Sequence, residues 1–501
     1  MTTRIDVFID QMAALGLGSR PQSLINGELV DGTGDTITLT DPYTEQLLVA
    51  YPDAGAELAI AACVAAQGAQ TQWAALSGAA RGLVMQDIAR AVSANAEPLA
   101  KIEALIAGKP IRDCRVEVAK VAEMFAYYGG WADKLHGEVI PVPSGHLNYT
   151  KRAPLGVVFQ ITPWTAPIFT GGWQIAPAIA TGNGVVIKPS ELTPVTTVAL
   201  VYLAEQVGLP KGLVNVLCGL GPTAGQAAIE HKSVRKVIFV GSPETGRLVA
   251  TEAAKALKPA VLELGGKSAN IVFDDANLRH ACLGAQAAIF SGAGQSCVAG
   301  SRLLVHRSVH AELVEMLAGG MNEIKLGDPL DEATEVGPIS NARQFAHVGN
   351  MVSRAKSDGA NVLCRDTTPD TGYFIPPTVL NGLANTDEAA QTEIFGPVVA
   401  AIPFESEEEA IALANATEFG LAGAVWTADV GRAHRVADKV RAGTFWINSY
   451  KAIHVSSPFG GSLNSGFGRS SGTDALMEYT SAKSVWLDSA PTPRIAFGYV
   501  S

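Results

Sequence analysis

The residue in this chain most suited to covalent chemistry is Cys297. It ends the run Phe290-Ser-Gly-Ala-Gly-Gln-Ser-Cys297, where Gly292, Gly294 and Ser296 let backbone approach closely and expose amide donors. A thiolate with such donors beside it can attack a carbonyl carbon and have the resulting oxyanion held. Glu263 is the second candidate. In Val261-Leu-Glu263-Leu-Gly-Gly266 a carboxylate stands between apolar residues, just before a double glycine. A charge at an apolar strand end needs a partner or a chemical task, because burial disfavours it. The other cysteines, at 63, 114, 218, 282 and 364, form no CxxC pair and read as inert core residues of a protein from a reducing compartment.

Two further groups have the types a nucleotide needs. Val185-Val-Ile-Lys188-Pro-Ser-Glu191 ends an apolar run with a cation and an anion three residues apart. At the carboxyl end of a parallel strand they face the ligand crevice, where Lys188 suits a ribose or phosphate and Glu191 a ribose diol. The run from Lys236 to Val240 enters Gly241-Ser-Pro-Glu-Thr-Gly246, a glycine turn that aims a helix N-terminus at a pyrophosphate. Its spacing is GxxxxG, not the GxGxxG fingerprint, so by itself it is only a turn.

The elements that must position these groups read as α/β. Strands are expected at 155–162, 184–188, 214–218 and 236–240, with helices at 173–180, 194–207 and 244–256 between or after them. A second series follows from 259 to about 446, with strands at 269–273, 302–306, 398–404 and 423–426 and helices at 276–290, 311–319 and 407–414. Such alternation specifies parallel sheets with crossover helices, hence two doubly wound, Rossmann-like lobes joined near 258–266. Alanine-rich residues 55–107 and then 117–136 read as helices. Residues 138–153 and the tail after 479 are β-prone and suit an edge sheet that pairs with another chain. The composition agrees: 501 residues, 48% hydrophobic and 17% charged, provide core for two or three domains and leave little room for disorder. A net charge of −11 argues against nucleic-acid binding. The uncharged run from Ala153 to Ile187 is long enough to span a bilayer, but four prolines and five glycines break it. It reads as buried strand, loop and helix, and no membrane association or metal site is expected.

Beyond these individual signals, the chain resembles the aldehyde dehydrogenase superfamily over nearly its full length. The matching pieces, in order, are ITPW (161–164), KPSE (188–191), GSPETG (241–246), LELGGK (262–267), GQSCVAGSR (294–302), EIFGPV (393–398) and PFGGSLNSGFGR (458–469). The resemblance implies Cys297 as nucleophile and Glu263 as the base that activates water. It places NAD, with NADP as the alternative, against Ile161, Thr162, Pro163, Trp164, Lys188, Ser190, Glu191, Gly221, Phe239, Gly241, Ser242, Gly246, Leu264, Gly265, Glu393 and Phe395. It implies a cofactor domain (1–135 and 154–262), a catalytic domain (263–455) and a small β oligomerisation arm (136–153 and 479–498) that builds a homodimer or homotetramer. The activity implied is oxidation of an aldehyde to a carboxylic acid by a cytoplasmic enzyme. Glu263 favours acid release over acyl-CoA formation, and the Glu191 carboxylate favours NAD by repelling a 2′-phosphate.

The chain departs from the family at three places. Relatives read PWN, with an asparagine that helps hold the oxyanion, where this chain has Pro163-Trp164-Thr165. Threonine offers one hydroxyl donor with a shorter reach. Many relatives also carry a lysine in the segment that here reads Trp173-Gln174, and an acid in the segment Tyr479-Thr480-Ser481; both charges are absent. On the substrate side the resemblance puts Trp173 in the tunnel and Asn448–Val455 at its mouth. Tyr450, Lys451 and His454 fall there, and the two potential cations suggest a small polar or anionic aldehyde. Arg112 and Arg115 lie in a helix the sequence cannot aim. The competing readings are a weak or repurposed member with a binding or structural role, and a thioester-forming or esterase-type acyl transferase.

Overall fold

A computed structural model describes residues 3–492, 494, 495, 497 and 498 of the chain. The first sheet is built on Val157–Ile161. The chain winds from it through Gly184–Lys188 to Val214–Val216, then returns to its other side with Val234–Val240 and Ala260–Glu263, all parallel. Both faces of these strands are buried. Val158, Val185, Ile187, Val214 and Ile238 enter one apolar cluster, and Val157, Phe159, Val186, Val237 and Phe239 enter the other. Near-continuous apolar runs are what such doubly covered strands require.

The second sheet repeats the plan from Ala269–Val272. Arg302–His306, Val398–Phe404 and Thr378–Asn381 lie to one side, Ala422–Trp426 and Thr444–Ile447 to the other, all parallel. Asn361–Cys364 closes one edge antiparallel, which leaves Cys364 exposed and not in a core as the sequence suggested. All six cysteines are free thiols.

Several elements differ from the reading above. The Pro167–Ala180 helix begins six residues ahead of the expected start, because Pro167 occupies the first turn, where its missing N–H goes unused. The helix expected at 117–136 runs over Ile111–Trp131. Short antiparallel strands Ser23–Ile25 and Glu28–Val30 extend the first sheet beyond Val214–Val216. Most consequential is Gly466–Phe467, two residues that pair antiparallel with Ala260–Glu263 and set Gly466 opposite Glu263. The segment expected at the edge forms a three-stranded antiparallel sheet of Val139–Ile140, His146–Pro154 and Thr480–Asp488. Pro493 and Ala496 of the expected arm, and Met1 and Thr2 of the expected cofactor domain, lie outside the described residues. Among the described residues no helix is long and apolar enough to cross a membrane.

Candidate active site

The winding of the first sheet reverses between Val157–Ile161 and Val234–Val240, and ligands of open parallel sheets sit at the strand ends beside such a reversal. Ile161, Thr162, Pro163 and Trp164 leave the first strand there, and Lys188, Ser190 and Glu191 leave its neighbour. Gly241, Ser242 and Gly246 follow Val234–Val240, whose buried Phe239 lies one residue from the strand end. Leu264 and Gly265 follow Ala260–Glu263, and Gly221 opens the short turn after Val214–Val216. The Ser242 hydroxyl caps the 13-residue helix Pro243–Lys255 by accepting from the Thr245 amide at 3.3 Å. That leaves a helix N-terminus at the crevice, a setting that attracts anions.

Lys188 Nζ donates to the carbonyls of Pro189 (3.0 Å) and Gly219 (3.2 Å) and lies 3.9 Å from Glu191 Oε2. Burial pushes this ammonium down from the ordinary lysine range, and the Glu191 charge opposes the shift. From the second sheet's side, Glu393 Oε1 accepts from the Gly266 amide at 2.9 Å, and Phe395 meets Trp164 edge-on at 5.6 Å. A helix N-terminus, a lysine beside a carboxylate and this aromatic pair together fit a dinucleotide.

Cys297 lies in the loop between the Leu278–Ile289 helix and the Arg302–His306 strand. The loop turns through Gly292, Ala293 and Gly294, all at positive φ, and a Cβ on Gly294 would stand 2.0 Å from the Gly396 carbonyl oxygen. Only glycine fits that approach. At Gly266 a Cβ would lie 2.7 Å from the Cys297 carbonyl oxygen, so the double glycine lets the Cys297 peptide press against the strand end that carries Glu263. Gln295 Oε1 pins the loop by accepting from Ser340 N at 2.9 Å. Cys297 keeps partial solvent contact, yet desolvation, with the Glu263 and Glu393 charges, pushes its thiol up to about 12. The amides of Val298 and Cys297 itself oppose the shift, and such donors also suit an oxyanion.

Glu263 is 7% exposed, and burial raises its carboxyl to about 7. Its Oε1 accepts from Gln174 Nε2 at 3.2 Å and from the Ser470 hydroxyl. Gln174 Oε1 accepts from the Tyr479 hydroxyl at 2.8 Å, and Gln160 Nε2 donates to that hydroxyl at 3.1 Å. The Glu263 carboxylate is thus held by neutral groups. Gln174 is where the sequence placed it, but the second contact is not from Tyr479-Thr480-Ser481. Tyr479 reaches Gln174, the Thr480 hydroxyl donates to the Leu476 carbonyl, and Ser481 is exposed. Ser470 holds that place because the Gly466–Phe467 pairing brings it there, and a two-residue strand carries no periodicity to read. Sequence reasoning also missed Glu103, a buried carboxylate on the Ala96–Ala107 helix that accepts from the Ile168 amide at 3.1 Å and from the Thr196 hydroxyl. Thr165 lies two residues before the Pro167–Ala180 helix, and its hydroxyl makes no hydrogen bond among the described residues.

On the substrate side the expected residues separate. Trp173 is buried, stacks on Phe169 at 5.2 Å and meets Phe459 edge-on at 6.0 Å. The Tyr450 hydroxyl donates to the Val298 carbonyl at 3.1 Å and its ring tilts against Trp446 at 4.7 Å, so it buttresses the nucleophile loop. His454 is not a spare cation: Nε2 lies 2.8 Å from Glu123 Oε1 and Nδ1 is bonded to Ser456. Arg115 is taken up by Glu97 and Glu332, and Arg112 lies 3.7 Å from both Asp113 and Glu335. Lys451 Nζ donates to the Ser291 hydroxyl at 2.8 Å.

Two wound parallel sheets with a dinucleotide-type crevice between them, and a thiol beside a desolvated carboxylate, are the marks of an α/β oxidoreductase. Comparison with known proteins makes the assignment specific, because the Aldehyde dehydrogenase family profile matches residues 29–485. The chain belongs to the aldehyde dehydrogenase family. It is 41% identical to an aldehyde dehydrogenase of Aspergillus niger over 465 residues, covering 92% of this chain and 94% of that one. It is 39% identical to the betaine aldehyde dehydrogenase of Bacillus subtilis (strain 168) over 477 residues, covering 93% and 97%. The crystal structure of Staphylococcus aureus betaine aldehyde dehydrogenase in complex with NAD+ superposes with a TM-score of 0.94 at 36% identity, covering 98% of this chain and all of that one.

Proposed function

We propose that the protein oxidises a small polar or anionic aldehyde to the carboxylic acid with NAD, through a thioester on Cys297. The observation that carries this reading is the packing of the Cys297 peptide on Gly266, which sets the thiol at the strand end bearing Glu263. The Cys297 sulfur, once deprotonated, adds to the aldehyde carbon, and the amides that flank it receive the oxyanion. NAD, held at the strand ends beside Lys188 and Glu191, would supply a hydride acceptor, so that the adduct on Cys297 could pass to a thioester. Glu263 then takes a proton from water, whose oxygen attacks the thioester and releases the acid and the thiol. A carboxyl near 7 suits that task, because a large share of it is ionised at neutral pH and it is still basic enough to accept a proton.

The exposed apolar residues of the three-stranded sheet support a homodimer or homotetramer, and six unpaired thiols support a cytoplasmic setting. The Phe169–Trp173–Phe459 wall and the similarity to betaine aldehyde dehydrogenases favour a second reading, a quaternary ammonium aldehyde. NADH production over a panel of aldehydes, with and without CoA, tests the activity. Cys297→Ala is expected to abolish NADH formation while calorimetry still registers NAD binding. Turnover by that variant near the wild-type rate would remove Cys297 from the chemistry.

A further inference from the structure

Successive residues Tyr450 and Lys451 grip the two ends of the nucleophile loop. Tyr450 reaches the Val298 carbonyl beside Cys297, and Lys451 reaches Ser291 where the loop begins. The ammonium therefore sits over the same short loop as the thiol. Lys451 adopts the left-handed region (φ 59°), a conformation that a non-glycine residue holds only when its surroundings impose it.

The neighbouring cations already have carboxylates in contact. Lys109 pairs with Glu117, Arg112 lies beside Asp113, Arg115 is bound by Glu97 and Glu332, and His454 by Glu123. Lys120 Nζ is bonded to the Ile453 carbonyl and fastens the loop. Lys451 makes no salt bridge among the described residues and has a neutral hydroxyl as its near partner. Burial depresses this ammonium to about 8, with Lys109 adding to the effect, while the nearby Cys297 and Asp113 charges favour its ionised form. A desolvated cation with no counter-ion in contact is expensive to maintain unless a ligand supplies one.

We propose that Lys451 anchors the distal carboxylate of a short aldehyde acid whose carbonyl lies at Cys297. This rests on the catalytic reading above and chooses between its two substrate classes. A trimethylammonium group would meet an unpaired cation at this position, whereas a carboxylate completes the pair and accepts from Lys451, while the Ser291 hydroxyl keeps its bond to the Ala287 carbonyl.

The test compares kcat/KM for succinic semialdehyde, butyraldehyde and betaine aldehyde, with NAD saturating. The wild type is expected to prefer the semialdehyde over butyraldehyde by at least about tenfold, a factor worth ~1.4 kcal/mol. In Lys451→Met that ratio is expected to fall by about 10- to 100-fold, chiefly through KM, and in Lys451→Arg to persist in part. The ratio separates recognition from folding, since a damaged protein loses both substrates together. A ratio unchanged in Lys451→Met, or a wild type that prefers butyraldehyde or betaine aldehyde, overturns the anchor. If no aldehyde yields NADH, the catalytic reading fails. Calorimetry with succinate then decides the anchor separately: binding lost in Lys451→Met supports it, and equal binding or none in the wild type ends it.

Discussion

Glu263 illustrates how one residue couples stability to chemistry. Its carboxyl is raised to about 7 by burial, while an unfolded chain returns it to its ordinary value of 4.5. Between those values the folded protein holds a proton that the unfolded chain has released, so this group's contribution to stability falls as pH rises through that window. Above it the full burden of an ionised, buried carboxylate is present. Glu263→Gln is therefore expected to stabilise the protein at about pH 8 by about 2–3 kcal/mol relative to its effect at about pH 5. Urea unfolding at the two pH values measures this, and an identical effect at both would mean Glu263 is not desolvated. The same variant should show a burst of NADH followed by slow turnover, because thioester hydrolysis needs the base more than thioester formation does. In the wild type, steady-state turnover should rise with pH through about 7 as the base ionises. Thr165 carries a different prediction. Its hydroxyl is free to donate, so Thr165→Val, which keeps the shape, should slow single-turnover NADH formation on the order of 10²-fold with KM for NAD unchanged. No change in that rate would leave the Cys297 and Val298 amides to hold the oxyanion.

At the scale of elements, the Pro167–Ala180 helix joins the two halves of the site. Its first turn is held by Glu103 through the Ile168 amide, and its third presents Gln174 to Glu263. Replacing Gln174 by Leu keeps the volume but leaves the Tyr479 hydroxyl proton without an acceptor and removes one of the two donors to Glu263 Oε1. A buried group left unpaired costs about 1–3 kcal/mol, so a loss of that order is expected in denaturant unfolding. Hydrolysis should slow more than the burst. If both phases fall together, Gln174 supports the helix without orienting the base. Glu191 follows the second strand of the same sheet and lies 3.9 Å from Lys188. Its charge would meet a 2′-phosphate, so NAD should exceed NADP by more than about tenfold in kcat/KM. Parity between the cofactors would show that Glu191 turns away from the ribose.

For the whole molecule, one small sheet carries several exposed apolar side chains. Val139 is 73% exposed, Trp486 57% and Leu487 53%, all on the three-stranded sheet. Apolar side chains exposed together on a small sheet suit an interface, since isolated edge strands are otherwise protected. Trp486→Asp is expected to shift sedimentation from an oligomer towards the monomer. A wild type that already sediments as a monomer would deny this surface its role.

The central sheets were legible in the sequence because strands buried on both faces must be short and apolar throughout. VVFQI, GVVIK and VRKVIFV have no other comfortable environment, and the alternation with helices implies their parallel winding. Cys297 and Glu263 stood out for a similar reason, a reactive group in surroundings that do not otherwise call for one. What tertiary structure alone decided are the partners. Ser470 reaches Glu263 through a strand of two residues, Glu103 reaches Ile168 across 65 positions, and His454 meets Glu123 across 331. Side-chain pairing between distant segments leaves no periodic trace in either one. For that reason the sequence, with the resemblance it carries, marked Lys451 and His454 equally as cations near a tunnel, and only the folded protein set His454 on Glu123 and Lys451 on the neutral Ser291 hydroxyl.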